Sequence, residues 1–299
     1  MMMCWAMGKQ RPISKIIDAI TTTEGEGFIV HRSFPNNLIR DFDPFLLLDE
    51  MGPIELPPGQ AKGAPDHPHR GFETVTYVIE GAFEHKDSQG NKGKLYSGDV
   101  QWMTAGSGVI HSEMPESEFT KNGGKLHGFQ LWVNLPKIDK MMKPRYQDIS
   151  SKNIPVNFSE DGKVKVKVIA GESMGKTAII DTKIPITYLH FSMQPGSTVI
   201  QKIPDEYNSF AYVIDGEGYF GEEKKLAHKE QAIFFENCGD EITIHASENS
   251  KLPLEVLLFG GSPIGEPISR YGPFVMNTDE EIQKALADYR SGKMGQINF

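Results

Sequence analysis

Two short segments carry the residue types and the spacing of a metal site. His67 and His69 flank Pro68, and a proline favours extended backbone at its own position and at the residue before it. Side chains two residues apart on an extended segment point to the same side, so both imidazoles should face one way. His111 and Glu113 have the same spacing. If the segments run side by side, three imidazoles and one carboxylate meet, which predicts a transition-metal site.

The ligand chemistry limits the metal without choosing it. Three neutral imidazoles and one carboxylate suit Fe(II), Mn(II), cobalt, nickel, Cu(II) or zinc. A structural zinc site normally closes at four ligands and commonly includes cysteine, so we favour an open centre that is redox-capable or Lewis-acidic. The alternative interpretation is a hydrogen-bonded polar cluster in the mouth of a β-barrel.

Side chains near the ligands in sequence are mostly apolar or aromatic. Phe45, Phe72, Trp102 and Met103 either wall a pocket that excludes water or belong to the core, and the sequence does not separate the two. Gln101 is a candidate for an amide that contacts the ligands from behind.

The other polar residues near the site are expected to be structural or supporting. His85 and His127 are candidates for groups behind the ligands. Arg70 and Glu73 turn away from the metal face, and we expect them to pair with each other or to hold neighbouring loops. The histidines without a ligand-spaced partner are interpreted as structural: His31, His190, His228 and His245.

Short strands divided by glycine and proline turns must position these residues. Residues 74–79 are β-branched and aromatic, and residues 163–168 alternate lysine with valine, as strands with one buried face do. Residues 52–65 hold four prolines and are interpreted as a loop. Many short strands of this kind predict an all-β fold, a sandwich or a barrel. Further strands are expected at 187–193, 209–214, 231–235, 242–245 and 254–259.

The second half of the chain echoes the first. YVIEG, starting at Tyr77, is matched by YVIDG starting at Tyr212, and VIH ending at His111 by TIH ending at His245, at nearly equal offsets. The repeat predicts two tandem copies of one β-barrel unit. The second copy keeps one histidine of the set, and one imidazole cannot hold a metal in a defined geometry, so we expect the second barrel to be metal-free.

We therefore divide the chain into an N-terminal metal-binding barrel at 1–136, a linker at 137–150 and a second barrel at 151–299. The second barrel ends in a short C-terminal helix, which Thr278 can cap and where Glu281 completes a capping box. One apolar face at helical spacing consists of Ile282, Ala285, Leu286 and Tyr289.

The composition limits the class of partner. The 299-residue chain has a formal net charge of −9 and is 38 % hydrophobic, so it can build cores but attracts phosphate backbones poorly. We expect no direct nucleic-acid binding, and we expect a monomer. The most basic stretch is interpreted as a solvated connection between domains: Lys137, Lys140, Lys143 and Arg145.

The sequence predicts neither export nor membrane insertion. No segment approaches the roughly 20 apolar residues of a spanning helix. The start of the chain lacks the regions of a signal peptide and is interpreted as a disordered tail. Cys4 and Cys238 are too few for a disulfide framework. These features favour the cytoplasm or the nucleus over secretion.

Six segments of the sequence resemble the pirin family, and five of them are long and specific. They run over most of the chain, at residues 43–50, 66–77, 98–106, 110–115, 130–134 and 272–278. The resemblance implies a bicupin fold, that is, two tandem cupin-type β-barrels. It also implies iron, Fe(2+), in the N-terminal barrel, held by the residues matching His67, His69, His111 and Glu113. Little function carries over to the C-terminal barrel.

The resemblance implies two roles from different classes. Some members are flavonol dioxygenases that act on quercetin, which gives the first hypothesis: a flavonol chelates the iron, Glu113 accepts its proton as the catalytic base, and O₂ adds to the ring. Others are nuclear co-regulators of transcription, which gives the second: a metal-tuned surface docks a transcription-factor partner. A third hypothesis is a zinc-type isomerase or hydrolase.

Overall fold

The computed structural model describes residues 8–25 and 27–299. Residues 1–7, which include Cys4 and the interpreted tail, lie outside the described residues, as does Glu26. The described chain is mostly β-strand with two helices, which confirms the all-β prediction. Neither helix has the length and apolar character that crossing a bilayer requires.

The strands and helices are numbered along the chain. The first part of the chain contains β1 (Ile13–Asp18), β2 (Ile20–Glu24), β3 (Phe28–Phe34), β4 (Phe45–Leu56), β5 (Ala64–His69), β6 (Phe72–Glu80), β7 (Ala82–Asp87), β8 (Lys92–Tyr96), β9 (Val100–Thr104), β10 (Val109–Pro115), α1 (Ser117–Asn122), β11 (Gly124–Asn134) and β12 (Arg145–Ile149). The second part contains β13 (Val156–Phe158), β14 (Val164–Ala170), β15 (Glu172–Ser173), β16 (Lys176–Thr177), β17 (Ile186–Met193), β18 (Thr198–Lys202), β19 (Asn208–Asp215), β20 (Glu217–Phe220), β21 (Lys225–His228), β22 (Gln231–Phe235), β23 (Glu241–Ala246), β24 (Leu254–Gly261), β25 (Ser269–Tyr271), β26 (Phe274–Met276) and α2 (Asp279–Arg290).

The chain forms two compact units. The N-barrel consists of Ile20–Asn153 with Ile264–Phe299, and the C-barrel consists of the described residues up to Ala19 with Ile154–Pro263. The predicted boundaries at 136 and 151 divide the chain in sequence order. In the structure, the described N-terminal residues belong to the C-barrel and the C-terminal segment belongs to the N-barrel. The C-terminal helix accordingly belongs to the N-barrel and not to the barrel that precedes it in sequence.

The two units repeat one strand order. In the N-barrel a seven-stranded sheet runs β12-β9-β6-β11-β4-β3-β2 and a four-stranded sheet runs β5-β10-β7-β8. In the C-barrel the corresponding sheets run β1-β22-β19-β24-β17-β14-β13 and β18-β23-β20-β21. The correspondence, strand for strand, confirms the two tandem barrels.

An open sheet edge explains why the strand β1 belongs to the C-barrel. An uncovered sheet edge leaves N–H and C=O groups without partners, so a further strand stabilises it. The strand β1, from the start of the chain, covers the edge of the C-barrel sheet beside β22. The strand β12 covers the matching edge of the N-barrel beside β9. The predicted linker at 137–150 is therefore partly a strand of the first barrel.

Lys140, which we assigned to a solvated basic stretch, is buried. Its ammonium group donates to Gly71 O at 2.8 Å, Asn134 Oδ1 at 2.6 Å and Val275 O at 3.1 Å. Burial lowers its pKa to about 8. The lysine ties the segment after the first barrel to the backbone that follows β5 and to the strand β26. The sequence-based interpretation was wrong for this residue because two of its three partners, Gly71 O and Val275 O, come from distant parts of the sequence.

Two local features differ from the expectations and one agrees. The predicted loop at 52–65 is partly strand, since β4 continues to Leu56 and β5 begins at Ala64. The short helix α1, capped by Glu116, was not predicted. The helix α2 begins as predicted: Thr278 Oγ1 accepts from Glu281 N at 3.3 Å, while the Glu281 carboxylate accepts from Asn277 N at 2.9 Å.

Candidate metal centre

The three predicted histidines lie on two paired strands. β5 and β10 run antiparallel, with His111 directly opposite His67 and Val109 opposite His69. β5 is the edge strand of its sheet, and an edge position tolerates Pro68, which has no N–H to donate. The two-residue alternation of an extended strand therefore brings the imidazoles to one side, as the sequence predicts.

The Nε2 atoms of the three rings converge. His67 Nε2 lies 3.1 Å from His69 Nε2 and 2.9 Å from His111 Nε2. One ligand atom of each histidine lies within 4.8 Å of the others. Nitrogen ligands about 2.1 Å from one ion and at right angles to each other lie about 3.0 Å apart. The separations therefore fit one transition-metal ion with an open, octahedral-type arrangement.

The hydrogen bond of His67 fixes which ring nitrogen is available. Its Nδ1–H donates to Pro65 O at 2.7 Å, and a carbonyl oxygen can only accept. The Nε2 lone pair is thus left facing the other two rings, in the arrangement commonly found for metal-ligating histidines. Three imidazole nitrogens in this arrangement can satisfy their lone pairs together by binding a cation.

The inner two rings are deeply buried and neutral. His69 is 2 % exposed and His111 0 %. Burial lowers the pKa of both imidazoles well below the usual range, and the neighbouring histidines lower it further. Neutral imidazole is the form that binds metals, so the burial favours the ligand form of each ring.

Glu113 stands beside the three histidines. A register shift in the β5–β10 ladder places Glu113 opposite Ala64, while its pairing with β7 is regular. Glu113 Oε2 lies 3.9 Å from His111 Nε2. Its Oε1 accepts from Thr76 Oγ1 at 2.8 Å and from Gln130 Nε2 at 3.3 Å. Both donors hold the carboxylate in place, and Glu113 lines the same cavity as His67 and His69.

A cavity of about 600 Å³ opens onto His67, His69 and Glu113. This volume lies within the usual range for small-molecule sites. Its other lining side chains combine apolar residues with a few charged ones, all within the N-barrel: Glu24, Phe28, Val30, Arg32, Leu47, Asp49, Met51, Lys62, Asp66, Thr76, Phe83, Leu126, Gln130, Trp132 and Arg270.

None of the four side chains considered for a pocket wall lines the cavity, and all four are core residues. Phe72 packs behind His69, with ring centroids 5.1 Å apart, and against Trp132 at 4.5 Å. Trp102 and Met103 are fully buried and do not line the cavity, so the core interpretation applies to them. Phe45 is also a core residue.

Of the candidates for supporting roles, His85 lies nearest the site. Its ring stacks on Tyr146 with centroids 5.2 Å apart, and it contributes to the lowered pKa of His111. His127 instead pairs with Glu50 at 2.7 Å. Gln101 donates to Asp148 at 2.9 Å.

The predicted Arg70–Glu73 pair does not form. Arg70 pairs with Asp288 of α2 at 3.0 Å, while Glu73 accepts from Thr104 at 2.6 Å. The alternative expectation, that Arg70 holds a neighbouring loop, is confirmed by its bond to Ser107 O at 2.7 Å.

The sequence analysis missed three residues of the cavity. Gln130 and Trp132 follow the period of two that places strand residues on one face, and they were read only as parts of a strand. Trp132 touches His69, with ring centroids 5.3 Å apart. Arg270 comes from the C-terminal segment, and no local signal in the sequence connects it with the first barrel.

The C-barrel has no histidine set at the matching positions. The strands that correspond to β5 and β10 are β18 and β23, and their core-facing positions include Val199, Ile242, Ile244 and Ala246. His245, which the sequence repeat matched to His111, alternates with Ile244 and Ala246, so it faces away from the core, and it bonds Thr198 at 2.8 Å. The expectation that this barrel is metal-free stays a prediction, now supported by these aliphatic positions.

The strand order and the three-histidine group define a two-domain cupin protein with a candidate metal centre in one domain. Residues 27–133 match the family model Pirin, and residues 188–295 match Pirin C-terminal cupin domain. The chain belongs to the pirin family.

Two curated relatives and one solved structure show how extensive the similarity is. A pirin-like protein of Solanum lycopersicum is 44 % identical, over 99 % of this chain and 97 % of that protein. Pirin of Homo sapiens is 41 % identical, over 97 % of this chain and 96 % of that protein. A crystal structure of quercetin 2,3-dioxygenase from Acinetobacter baumannii superposes with a TM-score of 0.90 and 34 % identity, covering 97 % of this chain and 100 % of that one.

Proposed function

We propose that this chain is an iron-dependent dioxygenase that cleaves a flavonol such as quercetin with O₂. The observation that carries the proposal is the convergence of three imidazole Nε2 atoms beside a cavity of about 600 Å³. The Nε2 atoms of His111 and His69 lie 2.9 and 3.1 Å from that of His67. The similarity to the quercetin 2,3-dioxygenase from Acinetobacter baumannii supports the choice of substrate.

The residues that would hold the metal are His67, His69, His111 and Glu113. Three imidazoles with one carboxylate suit Fe(II), although nickel, cobalt or manganese would also fit this donor set. A bound iron(II) ion would supply a Lewis acid for the flavonol oxygens and a redox partner for O₂. Both atoms of O₂ enter the products, so the flavonol supplies all the electrons and no outside reductant is needed.

The side chains of the cavity then have separate tasks. The apolar and aromatic wall, including Leu47, Met51 and Trp132, binds the flat rings of the flavonol and excludes water. Glu113 accepts the proton of the flavonol hydroxyl beside the histidines, and Thr76 and Gln130 hold its carboxylate in position for this step. The bond from His67 to Pro65 O holds the first imidazole in the required orientation.

The test combines elemental analysis with an oxygen electrode. Purified protein loaded with iron(II) should consume O₂ when quercetin is added, and Glu113→Ala should lower the rate by at least about 100-fold, within the range of a lost general base. Glu118→Ala is the matched control, since Glu118 is an exposed glutamate of the nearby helix α1. An iron-loaded wild-type protein that takes up no O₂ with quercetin would refute the proposal.

The metal content of the Glu113 variant separates its two roles. If Glu113→Ala keeps iron and loses O₂ uptake, the carboxylate acts as the base. If iron is lost as well, the carboxylate is needed as a ligand. The remaining predictions, a transcription-factor partner, a monomeric state and a cytoplasmic or nuclear location, stay predictions.

A further inference from the structure

The floor of the N-barrel cavity carries a row of polar side chains that leads away from the histidines. Thr76, Gln130, Asp49 and Arg32 occupy directly opposite positions on the neighbouring strands β6, β11, β4 and β3. All four line the cavity. Neighbouring strands lie about 4.8 Å apart, so the row spans about 14 Å. It begins at Glu113, which Thr76 and Gln130 contact, and ends at Arg32.

Arg32 pairs with two carboxylates at the far end of this row. Its Nε and Nη2 donate to the two carboxylate oxygens of Asp49 at 2.7 and 2.6 Å, and Nη2 also donates to Glu24 at 2.5 Å. Asp49 therefore keeps one lone pair on each oxygen for a further donor, since a carboxylate offers about four acceptor positions.

Arg270 lines the same end and has donors to spare. Its guanidinium lies 5.1 Å from the ring centre of Trp132, the residue that touches His69. Among the described residues, its one hydrogen-bond acceptor is Leu46 O, at 3.1 Å from Nη1. A guanidinium has five N–H groups, so several stay available to a ligand in the cavity.

Both signs of charge lie at this end of the cavity. Arg32 and the carboxylates of Asp41, Asp49 and Glu24 are all close enough to influence the pKa of Arg270. An anionic ligand group would gain contacts with the guanidinium and meet repulsion from the three carboxylates. A neutral hydroxyl both donates and accepts, so it can donate to the carboxylate of Asp49 and accept from Arg270.

We propose that Asp49 and Arg270 form a distal subsite for phenolic hydroxyls, and that Arg270 determines specificity for ligands carrying them. This inference rests on the proposed function and names its substrate class: a flat molecule with two oxygens that chelate at the histidines and hydroxyls on the ring at its opposite end. The apolar side chains between the two polar ends, Val30, Leu47 and Met51, contact the rings.

Two flavonols test the subsite. Quercetin and galangin share the same chelating oxygens, and only quercetin carries hydroxyls on the pendant ring. We expect metal-loaded wild-type protein, titrated under nitrogen, to bind quercetin at least about tenfold more tightly than galangin, the effect of one hydrogen bond to a charged group.

Substitution of Arg270 should remove that preference. Arg270→Met should weaken quercetin binding about tenfold and leave galangin within about twofold, and Arg270→Lys should retain part of the preference. Arg290→Met is the matched control, since Arg290 is an exposed arginine of the same C-terminal segment. An unchanged metal content and galangin affinity show that the variant is folded.

Three results would overturn the subsite: equal affinities in the wild-type protein, equal weakening of both flavonols by Arg270→Met, or no binding of either. Oxygen uptake is measured on the same samples and separates the two proposals. A preference for quercetin without O₂ consumption keeps the subsite and refutes the dioxygenase. Consumption of O₂ without a preference for quercetin keeps the dioxygenase and refutes the subsite.

Discussion

The N-barrel and the C-barrel share one strand order and fill their interiors differently. In the C-barrel a continuous cluster of buried side chains, mostly aliphatic, runs through both sheets, and Ile244 and Val199 belong to it. The corresponding strands of the N-barrel, β10 and β5, carry His111, His67 and His69, and the last two line a cavity. The C-barrel is thus stabilised by a filled interior, while the N-barrel keeps a cavity lined by apolar and charged side chains.

The N-barrel is braced from outside by the C-terminal segment. Arg70, the residue after His69, pairs with Asp288 of α2, and its backbone N–H donates to Pro273 O at 3.2 Å. The same side chain holds Ser107 O, in the loop before β10. A second hydrophobic cluster around Phe274 and Ile282 adds to this contact. The comparison indicates that polar clamps replace part of the core that the cavity removes.

The test with the largest expected effect replaces one histidine by alanine in each barrel. His111→Ala removes one imidazole ligand, so it should weaken metal affinity strongly and lower oxygen uptake at least about 1,000-fold. His245→Ala, at the position that the sequence repeat matches to His111, should change neither. Elemental analysis of both purified variants checks the prediction. Loss of metal from the His245 variant would contradict the assignment of the centre to the N-barrel.

Residue spacing was sufficient to predict the histidine group. His-Pro-His and the later His-x-Glu each specify a local geometry, and antiparallel pairing of two strands brings them together. Spacing did not fix the distance of Glu113, whose Oε2 lies 3.9 Å from His111 Nε2. Matching letters also misplaced His245, whose side chain faces away from the core because it alternates with Ile244 and Ala246.

The bracing contacts were beyond prediction for a different reason. Lys140, Arg70 and Arg270 depend on partners or positions far away in sequence, and a charge pattern read locally assigns such residues to the surface. The units do not follow chain order for the same reason. The positions of β1 and α2 depend on the part of the fold that each packs against, which lies far away in sequence. Long-range contacts of this kind leave no periodicity in the sequence.

The second prediction removes the brace. Arg70→Met leaves Asp288 without its buried partner and frees the loop before β10. We expect a loss of about 3 kcal/mol in the free energy of unfolding and a 10- to 100-fold weaker metal affinity, roughly the costs of a broken buried pair and a lost supporting contact. Chelator competition and urea unfolding measure the two quantities.

Lys284→Met is the control for that experiment. Lys284 also pairs with Asp288, at 3.1 Å, but its side chain is 64 % exposed. An exposed pair of this kind contributes less than about 1 kcal/mol. If Arg70→Met and Lys284→Met had equal effects, the stability of the N-barrel would not depend on the buried Arg70–Asp288 pair. The two barrels would then differ only in how their interiors are filled.

The smallest expected effect is a pH dependence due to Lys140. Burial lowers the pKa of this group from 10.5 to about 8 in the folded protein. Below about pH 8 both the folded and the unfolded chain hold the proton, and the folded state carries the full cost of the buried charge. Between about pH 8 and pH 10.5 the unfolded chain binds more protons, so the free energy of unfolding should rise with pH, by at most about 3 kcal/mol from this group.

Lys140→Met should remove that rise, and it should also destabilise the protein at neutral pH because Gly71 O, Asn134 Oδ1 and Val275 O lose their donor. The exposed Lys143→Met, in the same connecting segment, should keep the wild-type slope. Urea unfolding of metal-loaded protein at several pH values across the window measures the difference. If the free energy of unfolding of Lys140→Met rose with pH by the same amount, other groups would cause the rise, and Lys140 would not titrate in this range.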